Sequence, residues 1–448
     1  MMMSMFSSVS GLKAHQTKMD VIGNNIANVN TIGFKASRAT FQEIFSQTLA
    51  SASSPDALSG RGGVNPVQVG LGMNVDAIDI QMERGSVQRT ESPTDLSIEG
   101  EGFFIVRGGN EGEYRFTRAG NFTIDKLGNL VTSSGQNVYG WMKYTYGDNG
   151  YEFDTQEPLQ PINLYQDIYN MNKRIIAAQV TTEAVFAGNL DATEPAIGTA
   201  LGTAPDVTNI DPQFTVPVKV FDKLGNEYKI NIKFWKNYVD TSGSSPETSW
   251  YYEIDGGTNA TIGASGFIKF DSSGRIINET GFDVKNTVTI QPNPASGASE
   301  FDVEFNFEQL SMYADDSSVK SVRVDGYAPG TLVTFSIGGD GVITGVYDNG
   351  RQQPLGQIAL ATFENPAGLE KVGANQFAQT TNSGDFSVGK IPGKDGAGVL
   401  IPGTLEMSNV DLAKQFTEMI ITQRGYQANS RVMTASDEIL QELANIKR

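Results

Sequence analysis

The most informative segment of the chain is Asp20-Val21-Ile22-Gly23-Asn24-Asn25-Ile26-Ala27-Asn28-Val29-Asn30-Thr31-Ile32-Gly33-Phe34-Lys35. It begins near the end of an amphipathic N-terminal stretch and contains four asparagines and two glycines. Glycine and asparagine tolerate left-handed backbone, and asparagine side chains hydrogen-bond their own main chain. The segment therefore predicts the C-terminal end of a helix, followed by a turn into an irregular polar stretch.

The residues before this turn predict an N-terminal helix. Apolar side chains recur there in steps of three, four and seven, which lines them up along one stripe of a helix. The stripe consists of Met5, Val9, Leu12, Met19 and Ile26. The only histidine of the chain, His15, lies beside this stripe, and we interpret it as an ordinary residue of the polar face.

Residues 410–448 predict a second and longer helix at the other end of the chain, with Asp411 placed for a capping box. Gly425 inside this helix is expected to cost on the order of 1 kcal/mol relative to alanine. The heptad seam of the helix consists of Leu412, Phe416, Met419, Tyr426, Met433 and Leu440. Because both ends carry an apolar stripe, we expect the two terminal helices to pair as a coiled coil.

The middle of the chain has the pattern of β-strands. Residues 214–220 and 228–234 alternate apolar and polar side chains on either side of a turn at residues 222–226, which is typical of an amphipathic hairpin. Pro217 within the first of these strands favours an edge position, since proline cannot donate to a strand ladder. Similar alternation elsewhere makes the whole middle region all-β.

These patterns predict a mainly β chain with α-helical termini and central all-β domains nested by insertion. Within the connector after the first helix, residues 38–45 predict a short helix, and the serine- and glycine-rich residues 46–66 predict a loop or extended stretch. The predicted parts are paired terminal helices at 1–26 and 410–448, an extended connector at 27–72, an inner β domain at 73–180 and 323–409, and an inserted outer β domain of one or two modules at 181–322.

Composition argues against several classes of function. The net charge of −18 argues against a nucleic-acid partner, because binding phosphates requires a basic surface. With no cysteine and one histidine, the chain offers little for a metal site, a thiol nucleophile or a Ser-His triad. We therefore expect a protein that is not an enzyme and has no cofactor, metal or small-molecule substrate. The N-terminus lacks a basic region followed by an apolar core, so we expect no cleavable signal peptide.

Five segments of the chain carry a family resemblance. They are Asn24-Asn25-Ile26-Ala27-Asn28, Thr31-Ile32-Gly33-Phe34-Lys35, Arg118-Ala119-Gly120-Asn121-Phe122, Ser408-Asn409-Val410-Asp411-Leu412 and Gln423-Arg424-Gly425-Tyr426-Gln427-Ala428-Asn429. They resemble the bacterial flagellar axial proteins, the family of rod and hook proteins. The large inserted β domain is similar to the hook members of that family, because the rod proteins of this type are much shorter.

The resemblance implies a structural subunit that assembles with copies of itself into a curved helical tube. In the flagellar hook, this tube acts as a universal joint that transmits torque from rod to filament. The implied location is extracellular, in the hook, after export without cleavage. The implied partners are further copies of the chain, a distal rod protein, a hook cap protein, a hook–filament junction protein and the flagellar type III export apparatus.

We expect the apolar residues of both terminal helices to serve assembly. The residues that follow the first helix are expected to form an elbow that leads from the helices to the connector. The elbow consists of Asn24, Asn25, Asn28, Asn30, Gly33, Phe34 and Lys35. Two alternatives stay open at this point: a straight distal rod protein, and an extracellular β-domain enzyme or adhesin with helical ends.

Overall fold

The structure is a computed structural model that divides into two compact units. The first unit comprises Met1–Asn172, Phe335–Gly345 and Gln353–Arg448, and the second comprises Lys173–Thr334 and Val346–Gln352. The described residues are 2–55, 62–108, 112–147, 150–167, 171–198, 200–241, 246–257, 260–279, 281–282 and 284–446.

One long helix and a series of short strands make up the chain as far as residue 172. Their bounds are α1 Met2–Ala27, β1 Ser37–Glu43, β2 Ser46–Ala50, β3 Val67–Gly70, β4 Met73–Ile80, β5 Val87–Arg89, β6 Leu96–Glu99, β7 Phe103–Arg107, β8 Arg115–Thr117, β9 Thr123–Ile124, β10 Leu130–Val131, β11 Asn137–Trp141, β12 Tyr144–Gly147, β13 Gly150–Phe153, β14 Gln160–Pro161, β15 Gln166–Asp167 and β16 Met171–Asn172.

The remaining strands are longer on average, and a second long helix follows them. Their bounds are β17 Ile175–Ile176, β18 Glu183–Asp191, β19 Phe214–Phe221, β20 Glu227–Asp240, β21 Glu247–Asp255, β22 Ala260–Thr261, β23 Ala264–Phe270, β24 Ile276–Ile277, β25 Lys285–Pro292, β26 Phe301–Tyr313, β27 Lys320–Val324, β28 Gly330–Ile337, β29 Val342–Tyr347, β30 Gln352–Ile358, β31 Leu360–Ala361, β32 Glu370–Gly373, β33 Gln376–Ala378, β34 Val399–Pro402, β35 Thr404–Glu406 and α2 Leu412–Ile446.

The first unit combines the two helices with a β core. Strands pair there in the order β11-β7-β8-β33-β32, and their apolar side chains form a buried cluster. Within it, the ring of Phe103 meets Phe363 and Phe377 edge-on, with centroids 6.0 and 5.7 Å apart, the arrangement that aromatic quadrupoles favour. A separate antiparallel ladder of β1 with β4 packs against α1.

The second unit contains two five-stranded sheets. Their strand orders are β22-β25-β26-β18-β27 and β19-β20-β21-β23-β24. Side chains from both sheets, among them Phe186, Phe234, Trp250 and Phe305, form one continuous buried core. Since the residues of both inner faces share that core, the sheets pack face to face as a β-sandwich.

The hairpin predicted at residues 214–234 is confirmed as β19 and β20. In its turn the carboxylate of Asp222 accepts hydrogen bonds from the main-chain N–H groups of Leu224 and Asn226, at 2.8 and 2.9 Å. Gly225 supplies the positive φ of 88° that the turn requires. Pro217 lies on β19, which is an edge strand of its sheet, as the sequence predicted.

The predicted fold class is confirmed: the chain is mainly β, and its two terminal helices contact each other. The short helix predicted at residues 38–45 is wrong, because residues 37–43 form β1. Thr40 and Phe41 favour strands, and pairing with β4 buries Ala39. The last helix begins at residue 412 rather than 410. The predicted borders of the connector and of the 181–322 domain stay predictions, and residues 56–61 and 447–448 lie outside the described residues.

Candidate assembly site: the helix pair and its elbow

The two terminal helices pack antiparallel in a register that polar contacts define. A Cβ on Gly11 would lie 2.7 Å from the Asn429 amide nitrogen, and a Cβ on Gly425 would lie 2.7 Å from His15 Nε2. Each helix therefore offers a glycine to a polar side chain of the other. Gly425, expected only to weaken its helix, makes the room that the imidazole occupies.

The seam between the helices is polar and built from small residues. On α2, Gln415, Thr422 and Ser436 are buried and Asn429 is half-buried, at intervals of seven residues. The hydroxyls of Thr422 and Ser436 donate to carbonyls one turn earlier in the same helix, at 2.7 Å each, so their burial leaves no donor unpaired. A polar heptad was thus present in the sequence beside the apolar one.

The predicted apolar residues mostly face away from this seam. The exposed ones are Val9, Leu412, Phe416, Tyr426, Met433 and Leu440. The half-buried ones are Met5, Leu12, Met19, Ile26 and Met419. Met3, Phe6, Ile420, Ile421, Val432 and Ile439 are exposed as well, so both helices carry apolar surface that the single chain does not cover. The assembly role of these residues stays a prediction.

Asn25 is the central residue of the elbow. Its side chain is buried, accepts from the main-chain N–H of Ser37 at 3.0 Å and donates to the carbonyl of the same residue at 2.8 Å. It also donates to the Gln415 side-chain oxygen at 3.2 Å. One side chain therefore joins the end of α1, the start of β1 and the first turn of α2.

The turn that follows α1 is closed by asparagine, as the sequence predicted. The Asn28 amide donates to the Asn24 carbonyl at 2.9 Å, and the Thr31 hydroxyl donates to the Asn28 side-chain oxygen at 3.1 Å. Asn24 and Asn30 themselves are exposed. The four asparagines are consequently unequal, with Asn25 and Asn28 forming the contacts that shape the turn.

Gly33 and Phe34 hold the end of the elbow against the β core. Gly33 has a φ of 68°, and a Cβ there would lie 2.7 Å from the main-chain nitrogen of Ala119. Its N–H donates to the carbonyl of Glu406 at 2.8 Å. Phe34 is buried beneath the ammonium of Lys371, which lies 4.7 Å from the ring centroid.

Lys35 belongs to a buried group of charges that the sequence did not predict. Its ammonium lies 2.7 Å from one Glu406 carboxylate oxygen, and an Arg118 guanidinium nitrogen lies 3.4 Å from the other. The Gly85 N–H donates to the same carboxylate at 3.0 Å. Burial lowers the pKa of both Lys35 and Arg118, and the charge of Glu406 opposes that shift. Nothing in the spacing of residues 35, 118 and 406 signals this cluster.

Two further residues, just before α2, make contacts that hold the start of that helix. The Asn409 side chain accepts from the Ala36 N–H at 2.8 Å and donates to the Gln81 carbonyl at 2.8 Å. Asp411 caps α2, accepting from the N–H groups of Ala413 and Lys414 at 2.9 and 3.2 Å. It is the N-cap residue itself, and Lys414 stands where a capping box would need a glutamate or glutamine.

Among the residues that the structure describes, no group of three or more His, Cys, Asp or Glu side chains is placed to hold a metal ion. No helix in the described part of the chain is long and apolar enough to cross a membrane.

We expect Asn25→Ala to destabilise the first unit by about 2–3 kcal/mol, because it removes the partner of both main-chain groups of the half-buried Ser37 and the buried hydrogen bond to Gln415. Urea unfolding followed by circular dichroism measures the change. The matched control is Asn24→Ala, which alters an exposed side chain and should shift stability by no more than about 0.5 kcal/mol. Equal losses in the two variants would contradict the central role given to Asn25.

Family models match four parts of the chain. They are the Flagella basal body rod protein model at residues 5–35, the Flagellar hook protein FlgE/F/G D1 domain at 97–175, the Flagellar basal body protein FlaE D2 domain at 189–327 and the Flagellar basal body rod FlgEFG protein C-terminal model at 401–446. The first and last of these contain α1 with the elbow, and α2.

Curated relatives match the chain over its full length. The flagellar hook protein FlgE of Treponema pallidum is 37% identical, and the match covers 100% of both chains. The chain belongs to the flagellar hook protein family. A second hook protein, from Borreliella burgdorferi, is 38% identical, again over 100% of both chains. The flagellar basal-body rod protein FlgG of Bacillus subtilis is 30% identical, and the match again covers 100% of both chains. The expectation that rod proteins of this type are much shorter is therefore wrong for this relative, and it is the higher identity of these hook proteins that makes them more similar to the chain.

Proposed function

We propose that the chain is the structural subunit of a bacterial flagellar hook and that it performs no catalysis. Copies assemble into a curved helical tube that acts as a universal joint and transmits torque from the rod to the filament. The observation that carries this proposal is the pair of terminal helices, which close on a polar seam and leave their apolar residues exposed. Membership of the hook protein family supports the same conclusion.

The exposed apolar surface calls for partners that are copies of the same chain. Soluble monomers seldom expose large contiguous apolar patches, and such patches usually mark interfaces. Here apolar residues are exposed along the length of α2 and on the first turns of α1, at Met3, Phe6 and Val9. A contact between different faces of identical subunits continues as an open helix wherever its rotation does not close into a ring. In this proposal the terminal helices of 1–26 and 410–448 line the inside of the tube.

The remaining predicted parts have roles that follow from this arrangement. Residues 27–72 connect the inner helices to the inner β domain of 73–180 and 323–409, and the outer β domain of 181–322 lies at the surface of the tube. The acidic residues concentrate in the middle of the chain, so outer domains of neighbouring copies repel weakly and slide during bending. A dry apolar contact between outer domains in the assembled tube would contradict that sliding.

The subunit acts outside the cell, in the hook of the flagellum. We propose that the flagellar type III export apparatus delivers it without cleavage of a signal peptide. Its further partners are the distal rod protein at the base of the tube, the hook cap protein during growth and the hook–filament junction protein at the far end. These partners rest on the family resemblance of the terminal segments.

The test introduces charge into the exposed apolar surface of α2. The full-length double variant Phe416→Asp and Ile420→Asp should fold normally but lose the ability to form sedimentable fibres, because assembly would bury two unpaired carboxylates. The control is Leu224→Asp, at a hairpin turn of the second unit, where the side chain is as exposed as that of Ile420, at 59% against 58%. Fibres from the double variant in wild-type yield would overturn the proposal.

A further inference from the structure

His15 is the only histidine in the chain, and it lies in the seam between the helices rather than on an open polar face. Its ring meets the edge of Phe41 on β1, with centroids 5.7 Å apart and planes at 70°. On the other side its Nε2 occupies the space that the missing side chain of Gly425 leaves. The imidazole is therefore enclosed by α2 on one side and by an aromatic ring on the other.

The environment of this half-buried imidazole favours its neutral form. Its Nδ1 is buried, and within the described residues no hydrogen-bond partner reaches it. A protonated ring carries an N–H group on each nitrogen, so the buried Nδ1 would become a donor without an acceptor. The pocket thus penalises protonation on geometric grounds.

The charged residues near His15 do not offset that penalty. Lys18, on the same helix, is the charge that acts on His15, and it repels a second cation. The nearest acid on α2, Glu418, pairs with Lys18 at 3.5 Å. On the ladder that packs against α1, Arg38 pairs with Asp79 at 3.5 Å.

Of the other two acids of that ladder, Glu43 accepts a hydrogen bond from the hydroxyl of Ser46 at 2.6 Å, and Asp76 is exposed on β4. Glu418, Asp79 and Glu43 are therefore engaged with other groups, while Asp76 faces solvent. An imidazolium at residue 15 would find no carboxylate placed to receive it among these contacts.

We propose that His15 is an acid-sensitive contact between the two terminal helices. Protonation of its imidazole separates α1 from α2 and thereby weakens the assembled tube. The inference rests on the proposed function, since it assigns a regulatory role to the same helices. It gives the tube a built-in dependence on the acidity of its surroundings.

The direction of the pH dependence follows from the pKa of His15. Burial lowers that pKa below its ordinary value of 6.5, and the charge of Lys18 lowers it further. The separated helices consequently bind the proton more tightly than the paired helices do. The stabilisation is complete above about pH 6.5 and is lost as the pH falls through the lowered pKa. Among side chains with ordinary pKa values, only histidine titrates in this window, and the chain has one.

The first experiment measures assembly of the full chain at pH 7.5 and 5.5, as the protein concentration above which fibres sediment. For the wild type this concentration should rise several-fold at the lower pH, whereas for His15→Gln it should stay nearly constant. Lys18→Gln should show an intermediate rise, because removing the nearby cation brings the pKa of His15 closer to its ordinary value. An equal rise in the wild type and in His15→Gln would overturn the proposal.

A second measurement tests the proposal even if His15→Gln does not assemble. In the unassembled wild-type chain, nuclear magnetic resonance of labelled histidine gives a single imidazole signal, whose pKa is compared between native and urea-unfolded protein. The native pKa should be the lower one, and a native pKa equal to or above the unfolded value would contradict the proposal. Failure of the wild type to assemble at pH 7.5 would count against the proposed function alone, because this comparison needs no fibres.

Discussion

Replacing Glu406 with glutamine is expected to destabilise the first unit by about 3–5 kcal/mol, the usual range for breaking a buried ion pair on one side. The Glu406 side chain is fully buried, and its carboxylate is the counter-charge of both Lys35 and Arg118. A glutamine amide carries no charge, and its NH2 group would face groups that are themselves donors. Two buried cations would then stand close together without compensation.

The loss of stability caused by Glu406→Gln should affect the elbow more strongly than the rest of the chain. Lys35 ends the elbow, Glu406 ends the strand before α2, and the N–H of Gly85 completes the contact between them. When these segments come apart, the exit of α1 and the entry of α2 are no longer held together. We therefore expect Glu406→Gln to abolish fibre formation even under conditions in which the sandwich of the second unit stays folded.

Urea unfolding measures the change, and Glu418→Gln provides a matched control. Glu418 also pairs with a lysine of the N-terminal segment, Lys18, but both side chains are partly exposed and the atoms lie 3.5 Å apart. Such a pair contributes at most about 1 kcal/mol. If both variants unfold at the same urea concentration, the buried cluster does not stabilise the elbow in the way described.

The parts of the fold that the sequence predicted are those encoded by short-range patterns. The hairpin of β19 and β20 follows from strict alternation on either side of the Asp222 turn, and each strand needs only its neighbour to bury its apolar face. The terminal helices follow in the same way from apolar residues in steps of three and four. The prediction for residues 38–45 was wrong because a strand in a two-stranded ladder takes its conformation from its partner, here β4, which lies 30 to 43 residues further along the chain.

For each contact in the candidate site, the sequence singled out only one of the two residues. Asn25, Gly33 and Lys35 stood out in the sequence, but their partners Gln415, Ala119 and Glu406 lie 390, 86 and 371 residues further along the chain, and no spacing connects the members of each pair. The helix pair adds a second reason. The helix pair of a single chain was expected to leave much of the Leu412–Leu440 seam exposed, and these residues are mostly exposed, but the polar heptad that faces the partner helix was not predicted. A single chain's periodicity identifies two stripes without telling which of them a second helix covers.

Gly33→Ala is expected to destabilise the first unit by about 2–4 kcal/mol, the combined cost of a left-handed backbone for alanine and of a methyl group forced into a packed site. The φ of Gly33 is 68°. A Cβ there would lie 2.7 Å from the nitrogen of Ala119 and 2.8 Å from the carbonyl carbon of Arg118. Both are main-chain atoms, so relief requires moving a loop of the β core rather than rotating a side chain.

Gly23→Ala provides a control for this prediction. The same substitution ten residues earlier should stabilise the first unit rather than destabilise it. Gly23 lies within α1, and a Cβ there meets no atom within 4 Å. Alanine at that position should stabilise the helix by about 0.5–1 kcal/mol, chiefly by reducing the freedom of the unfolded chain. The urea midpoint of unfolding should therefore be lower than that of the wild type for Gly33→Ala and higher for Gly23→Ala. If Gly33→Ala also raised the midpoint, the close approach to Ala119 would not be what fixes the direction in which the chain leaves α1. The exit would then depend on Asn25 and the buried carboxylate alone.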